Sequence, residues 1–127
     1  MIAVDTSALM AILLAEPPLQ DCISVLSKNI RVLISAGTLA EIHIIAATRG
    51  LDDELTELLD RMKFEIVPVT PDVSKRIGRI YALWGKGLHP ASLNFGDCFA
   101  YDLAKQHDCP LLYIGNDFSK TDIKSAF

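Results

Sequence analysis

Four carboxylate side chains lie in stretches of this sequence that otherwise carry almost no charge. They are Asp5, Glu41, Asp97 and Asp117. Asp5 is the only charged residue in positions 1–15, and Glu41 is the only one in positions 32–48. A carboxylate moved from water into such an apolar setting must be paired with a cationic group or must hold a metal ion. Most basic residues lie between positions 49 and 86, so we predict that the four acids share a divalent metal ion.

The elements that would position these acids alternate regularly along the chain. Short apolar strands are predicted at 2–4, 31–35, 64–69 and 111–114, with helices in the segments between them. Pro68 predicts either that the third strand lies at an edge of the sheet or that its pairing ends there, because proline cannot complete a central ladder. This alternation predicts an α/β fold, a three-layer α/β/α sandwich with a mainly parallel central sheet, formed by a single domain over residues 1–127.

Two of the predicted helices carry specific expectations. The helix that begins at Gly37–Thr38 is apolar nearly all round, so we expect it to be buried. The helix that begins at Thr70–Pro71 has an apolar stripe that we expect to pack in the core. The stripe consists of Val73, Ile77, Ile80, Tyr81 and Trp84. The opposite face of this helix is predicted to carry Lys75, Arg79 and Lys86.

The predicted sheet places the four acids at one end of the fold. In open parallel sheets, ligands bind beyond the carboxyl ends of the strands. Asp5 and Asp117 each follow a predicted strand. Asp97 lies at the start of a helix, and Glu41 lies in the first turn of another. We therefore expect all four carboxylates on one rim of the sheet.

Each acid also has an ordinary structural interpretation. Thr38 and Glu41 have the spacing of a capping box, and Asn94 and Asp97 fit a helix cap with an acid in its first turn. Asp5 could cap the helix that follows its strand. Asp117 could serve as a turn residue after Gly115 and Asn116. Taken singly, each acid is explained without a metal ion.

The chain resembles the PIN-domain nucleases, and most closely the VapC-type toxins of bacterial VapBC toxin–antitoxin pairs. The resemblance lies in segments 4–9, 39–41, 93–100 and 115–118, which carry the acids in the family's order. It implies a metal-dependent endoribonuclease with an α/β/α sandwich, usually dimeric, that is neutralised by a small antitoxin protein. It also implies that the four acids form the family's acidic quartet, with Thr6 or Ser7 as the small hydroxyl residue beside the first acid.

The expected reaction explains why carboxylates are required. Hydrolysis of an RNA phosphodiester brings an anionic nucleophile against an anionic phosphate, and Mg²⁺ or Mn²⁺ lowers the pKa of water and neutralises the developing charge. Such hard cations prefer oxygen ligands. We expect Asp5 and Asp97 to hold the principal ion directly, and Glu41 and Asp117 to act through water or with a second ion. Thr6 or Ser7 would orient a carboxylate or a metal-bound water without contacting the ion.

Two residues near Asp97 carry separate expectations. Asp102 follows Asp97 by five positions, or roughly 140° around an α-helix, so it should not point at the same ion. We expect Asp102 on the rim of the site or exposed. Cys98 should pack away from the metal, in the core.

The basic face of the helix that begins at Thr70–Pro71 is a candidate RNA-binding surface. Lys75, Arg79 and Lys86 could neutralise phosphates of the RNA backbone. The alternative is that these side chains are only solvated, as most charged helix faces are.

Composition narrows the class of protein and its location. The hydrophobic fraction of 50% and the charged fraction of 22% are typical of a globular domain. No apolar run approaches the ~20 residues of a membrane span, and the N-terminus lacks the basic segment of a signal peptide. Three cysteines without a CxxC pair argue against a zinc ribbon and favour a reducing compartment. We expect a cytoplasmic protein without membrane contact.

Other α/β functions fit the sequence less well. A phospho-acceptor receiver domain needs adjacent acids after its first strand and a lysine after a late one, but Thr6 follows Asp5 and positions 115–117 contain no lysine. A haloacid-dehalogenase-type phosphatase needs a second acid where this chain has Ser7. A non-catalytic PIN scaffold is the third alternative, and the complete set of four acids argues against it.

Overall fold

Four short strands form a central sheet in which every pairing is parallel. The computed structural model describes all 127 residues. Its strands are β1 (Ile2–Val4), β2 (Val32–Ser35), β3 (Glu65–Val67) and β4 (Leu111–Leu112). Their spatial order is β3-β2-β1-β4, and Ala3 at the centre pairs with Leu33 on one side and Leu111 on the other. The predicted strands are confirmed in order, and β3 lies at an edge, as Pro68 predicted.

Six α-helices surround the sheet. They are α1 (Thr6–Leu13), α2 (Leu19–Lys28), α3 (Ala36–Arg49), α4 (Asp52–Met62), α5 (Pro71–Trp84) and α6 (Phe95–Gln106), and a short 3₁₀ turn spans Phe118–Lys120. Alternate strand residues point to opposite faces of the sheet. Leu33 and Leu111 therefore pack with residues of α5 and α6, whereas Ile34 and Leu112 pack with residues of α1 to α4. This arrangement confirms the predicted three-layer α/β/α sandwich.

Helix α3 differs from its prediction. Only one stripe of the helix is buried, and it includes Thr38, Ile42 and Ala46. Ile44 is 65% exposed, and the neighbouring Ala47 is also exposed. The prediction of a fully buried helix was wrong because α3 packs through one face only, which leaves apolar side chains on its other face in solvent.

Helix α5 is also less buried than its apolar stripe indicated. Val73 and Ile77 are in the core, but Tyr81 is 36% exposed. The half-buried Trp84 donates its indole N–H to the hydroxyl of Tyr101 at 3.0 Å. The helix ends at Trp84, so Lys86 does not share a helical face with Lys75 and Arg79, contrary to the prediction.

All three cysteines are free thiols. Cys22 and Cys98 are buried, and Cys109 is partly buried. Cys98 lies in the core between the sheet and α5, as expected. None of the six helices combines the length and the apolar character needed to cross a bilayer.

Candidate active site

Asp5 lies at the junction between the central strand and α1. Its backbone N–H donates to the carbonyl of Leu112 at 3.0 Å, which continues the pairing with β4. Its Oδ2 accepts hydrogen bonds from Ser7 N at 3.0 Å and from Ser7 Oγ at 2.7 Å. Asp5 is therefore the N-cap of α1, as its structural interpretation predicted. Ser7 Oγ in turn accepts from Ile114 N at 3.0 Å and links the start of α1 to the segment after β4.

The second oxygen of Asp5 has no partner in the protein. Asp5 is only 4% exposed, and its Oδ1 is a buried atom without a hydrogen bond. Burial raises the pKa of Asp5, and the negative charge of Glu41 raises it further, whereas the bonds from Ser7 oppose the shift. An unpartnered buried carboxylate oxygen is unfavourable unless a cation or an ordered water reaches it.

Glu41 reaches the same region from α3. Its Oε1 accepts a short hydrogen bond from the hydroxyl of Thr6, and its carboxylate packs directly over Gly96. A β-carbon added at Gly96 would lie 2.7 Å from Glu41 Cδ. The capping-box interpretation of Glu41 was wrong, because Ser35 caps α3 by accepting from Gly37 N at 3.1 Å. Thr6 and Gly96 thus hold the Glu41 carboxylate from two sides.

Asp97 lies in the first turn of α6. Asn94 N donates to Asp97 Oδ2 at 2.9 Å, and Asp97 N donates to Asn94 Oδ1 at 2.8 Å. This is the predicted helix cap, and it orients the Asp97 carboxylate. Burial raises the pKa of Asp97 to about 7, and the charges of Asp5, Asp117 and Glu41 contribute to the shift. The field of all three other acids therefore reaches Asp97.

Asp117 completes the group from the loop after β4. It is exposed and directly precedes the 3₁₀ turn at Phe118. Gly115 supplies the positive φ of 104° that this turn requires. Asp117 thus lies in the turn that its structural interpretation predicted, yet its charge still acts on Asp97.

The four acids therefore meet at one end of the sheet, but they do not form a preformed metal cage. No group of three or more Asp, Glu, His or Cys side chains is already placed around a single point. Glu41 and Asp97 are instead held by hydrogen bonds to Thr6 and Asn94. The set fits a hard divalent cation in two respects: every donor is an oxygen, and Asp5 Oδ1 is buried without a partner.

Asp102 corrects one expectation. It was expected on the rim or exposed, but it is only 4% exposed and pairs with Arg76. Arg76 Nε and one terminal nitrogen donate to its two oxygens at 2.6 Å and 3.1 Å. The sequence held a signal for this burial, because Asp102 follows Cys98 by four positions and so shares a face of α6 with a predicted core residue. The charge of Asp102 is therefore neutralised by Arg76, and Asp102 does not belong to the acidic site.

The predicted basic residues do not share one helical face. Lys75 and Arg79 lie on α5, whereas Lys86 lies beyond its end and lines a groove with Asn94 and Phe95. None of these three cationic side chains takes part in an ion pair. Of these three residues, Lys86 is the one that lines a groove with Asn94, which caps α6 beside Asp97.

The sequence profile of the PIN domain matches residues 2–124. The chain belongs to the PIN-domain family. Ribonuclease VapC30 of Mycobacterium tuberculosis is 39% identical over 126 residues, covering 97% of this chain and 96% of that protein. Ribonuclease VapC of Mycolicibacterium smegmatis is 36% identical over 126 residues, covering 97% and 98%. These relatives place the chain among the VapC ribonucleases of the PIN-domain family.

Solved structures agree on the PIN fold. The sarcin-ricin loop cleaving toxin VapC20 of Mycobacterium tuberculosis matches with a TM-score of 0.78 at 16% identity, over 97% of this chain and 96% of that one. A toxin–antitoxin complex from Klebsiella pneumoniae matches with a TM-score of 0.74 at 17% identity, over 100% and 98%. These matches confirm the predicted fold over nearly the whole chain.

Proposed function

We propose that this PIN domain is a metal-dependent endoribonuclease that hydrolyses RNA and acts as the toxin of a toxin–antitoxin pair. The observation that carries the proposal is the environment of Asp5. Its carboxylate is buried at the end of the central strand, one oxygen is without a partner, and the charges of Glu41 and Asp97 act on the same region. A cation bound at this oxygen would offset the cost of burying the carboxylate, which favours a metal site.

The four acids are proposed to have two different roles toward the bound ion. Asp5 and Asp97 would bind Mg²⁺ or Mn²⁺ directly. Burial has removed part of the water around both carboxylates, and a bound cation would replace it. Glu41 and Asp117 would act through water or hold a second ion during turnover. When bound, the cation would lower the pKa of the attacking water and neutralise charge on the phosphate.

The surrounding side chains would keep the acids in place. Ser7 holds Oδ2 of Asp5 and leaves Oδ1 free to accept a ligand. Thr6 holds one oxygen of Glu41, and the Asn94 backbone N–H holds one oxygen of Asp97. Preorganised carboxylates avoid the cost of reorientation during the reaction, which supports hydrolysis over simple ion storage.

A small antitoxin protein is the proposed partner that restrains this activity. Two of the structures similar to this chain are described as a toxin–antitoxin complex and as VapBC2 of Rickettsia felis bound to promoter DNA. We further propose a homodimer in a cytoplasmic setting. The exposed Ile44 on α3 is one apolar side chain that such a protein contact would cover.

The experiment that tests the activity is cleavage of total RNA by the antitoxin-free protein with Mn²⁺ or Mg²⁺. Asp5→Asn and EDTA should each abolish cleavage, while Asp60→Asn on the exposed side of α4 should leave it intact. Each variant must be shown to fold by circular dichroism. Cleavage that resists EDTA, or persists in folded Asp5→Asn, would contradict the proposed site.

The non-catalytic alternatives give different results in companion assays. A PIN scaffold that only binds partners would bind Mn²⁺ weakly or not at all in calorimetry and would leave RNA intact. A receiver-like signalling domain would be labelled by a small phosphodonor, which the proposed ribonuclease should not be. Labelling of Asp5 would favour that alternative.

A further inference from the structure

An open groove lies beside the acidic site, between α5 and the start of α6. Its volume is about 470 Å³. The residues that line it are Ile77, Gly78, Tyr81, Lys86, Asn94 and Phe95. It is joined directly to the site, because Asn94 exchanges two hydrogen bonds with Asp97 and Phe95 is the next residue along the chain.

The groove presents aromatic surface to solvent. Phe95 is 69% exposed although it is a large apolar residue in the first turn of α6. Its only aromatic contact is with Phe99, whose ring meets it edge-on at a centroid distance of 5.0 Å. Tyr81, on the opposite wall, is also partly exposed. Two aromatic side chains thus flank a space that no protein atom fills.

Gly78 keeps this space open. It lies in the middle of α5, where glycine is less favourable than alanine because glycine loses more backbone conformational entropy when the helix forms. A β-carbon at this position would meet no atom within 4 Å, so packing does not demand the glycine. A larger side chain at position 78 would instead occupy the groove.

The charge of the groove identifies the kind of ligand that it suits. Lys86 is the only charged residue that lines it, and Lys86 forms no ion pair. The side-chain nitrogen of Asn94 donates no hydrogen bond within the chain, since only its oxygen is used by the helix cap. Aromatic surface, one free cation and one free amide match a nucleobase and its phosphate.

We propose that this groove binds an unpaired nucleobase of the RNA substrate next to the phosphate that is cleaved. The proposal rests on the ribonuclease activity proposed above and assigns a subsite to it. The base would stack on Phe95, with Tyr81 on the other wall, and Lys86 would contact a neighbouring phosphate.

Binding to base-containing and abasic RNA separates stacking from phosphate contact. The parent protein is Asp5→Asn, which should not cut the probes. The probes are fluorescein-labelled octa-adenylate and an abasic ribose-phosphate octamer, measured by anisotropy in Mg²⁺ buffer at several salt concentrations. Phe95→Leu should weaken octa-adenylate binding roughly tenfold and leave abasic binding unchanged. Phe95→Tyr should retain the parent's preference, because it keeps the ring.

Two further variants complete the design. Lys86→Gln should weaken both probes alike and reduce the slope of log affinity against log salt by about 0.7. Phe127→Leu is the matched control, since Phe127 is another exposed phenylalanine but lines a separate cavity with residues of α2. It should bind both probes as the parent does.

The possible results distinguish this proposal from the activity on which it rests. If Phe95→Leu binds both probes as the parent does, or loses both equally, the subsite is overturned while EDTA-sensitive cleavage by the unmodified protein would still stand. If Phe95→Leu instead loses only antitoxin binding, the groove belongs to that protein and the proposal fails. Base-dependent binding through Phe95 without any RNA cleavage would support the nucleobase subsite and contradict the proposed ribonuclease activity.

Discussion

Replacement of Gly96 by alanine tests whether the position of Glu41 matters. The new β-carbon would lie 2.7 Å from Glu41 Cδ and closer still to Glu41 Oε2, so the carboxylate must move by at least about 0.7 Å to restore ordinary contact at 3.4 Å. The obstacle is the end of a flexible side chain, so Glu41 can move away while the backbone stays in place. Its hydrogen bond from Thr6 is then lost or distorted.

The expected effects on stability and on activity differ in size. Loss of a hydrogen bond to a charged group costs about 1.5–3 kcal/mol when buried, and less here because Glu41 is partly exposed. Alanine in place of glycine in a helix recovers up to about 1 kcal/mol. The net change in unfolding free energy should therefore stay within about 1 kcal/mol. A carboxylate displaced by this distance should lower kcat/KM by roughly 10- to 100-fold.

The assay combines urea unfolding with Mn²⁺-dependent RNA cleavage. Thr6→Val removes the same hydrogen bond from the other side, so the double variant should lose no more activity than Gly96→Ala alone. Thr48→Val, at the exposed end of α3, is the matched control and should be fully active. Folded Gly96→Ala with more than half of the original activity would refute the role of Glu41. Additive losses in the double variant would refute the shared mechanism.

Three further predictions follow from buried polar groups. Arg76→Met should lower the unfolding free energy by about 3 kcal/mol in urea titrations, because it leaves the Asp102 carboxylate buried and unpaired, and Arg76→Met/Asp102→Leu should recover most of the loss. The metal-free protein should lose about 1–2 kcal/mol of stability, after allowance for solvent screening, as the pH rises from about 4 to 7. The native pKa of Asp97 is raised from 3.8 to about 7, so the folded state binds its proton more tightly than the unfolded state across this window. Thr38→Val should raise the unfolding free energy by up to about 1 kcal/mol, since the Thr38 hydroxyl is buried without a partner.

Each of these predictions has a clear contrary result. Unchanged stability in Arg76→Met would mean that water reaches Asp102. A pH dependence that survives Asp97→Asn would assign the slope to another group, such as Asp5, whose pKa is also raised. A loss of stability in Thr38→Val would mean that its hydroxyl is satisfied by bound water or by an ion.

The location of the acidic site was predictable because it depends on local rules. Strand β1 ends where Asp5 interrupts an apolar run, and the helix caps at Asp5 and Asn94 follow from residue type and spacing. Carboxyl ends of parallel strands share one edge of a sheet, so Asp5 and Asp117 were expected at the same rim. The structure confirms this placement, while the metal-binding roles of these residues remain predictions.

The partners of individual side chains were not predictable from the same rules. The alternative structural interpretation paired Glu41 with Thr38, three positions away, but Glu41 accepts its hydrogen bond from Thr6 on another element. Asp102 was expected near the surface, but it pairs with Arg76 on α5. Periodicity identifies which face of a helix is apolar, yet it does not specify which helices will meet or at what angle.

The amino-acid sequence by itself determined the order of strands and helices, the edge position of β3 and the end of the sheet where the acids lie. Those features follow from hydrophobic period, proline chemistry and strand direction, which act over a few residues. Tertiary packing alone decided that one face of α3 remains exposed, that Asp102 is neutralised by Arg76 and that a groove opens between Tyr81 and Phe95. Each of these depends on how closely two distant helices approach, and that distance is set by the whole core.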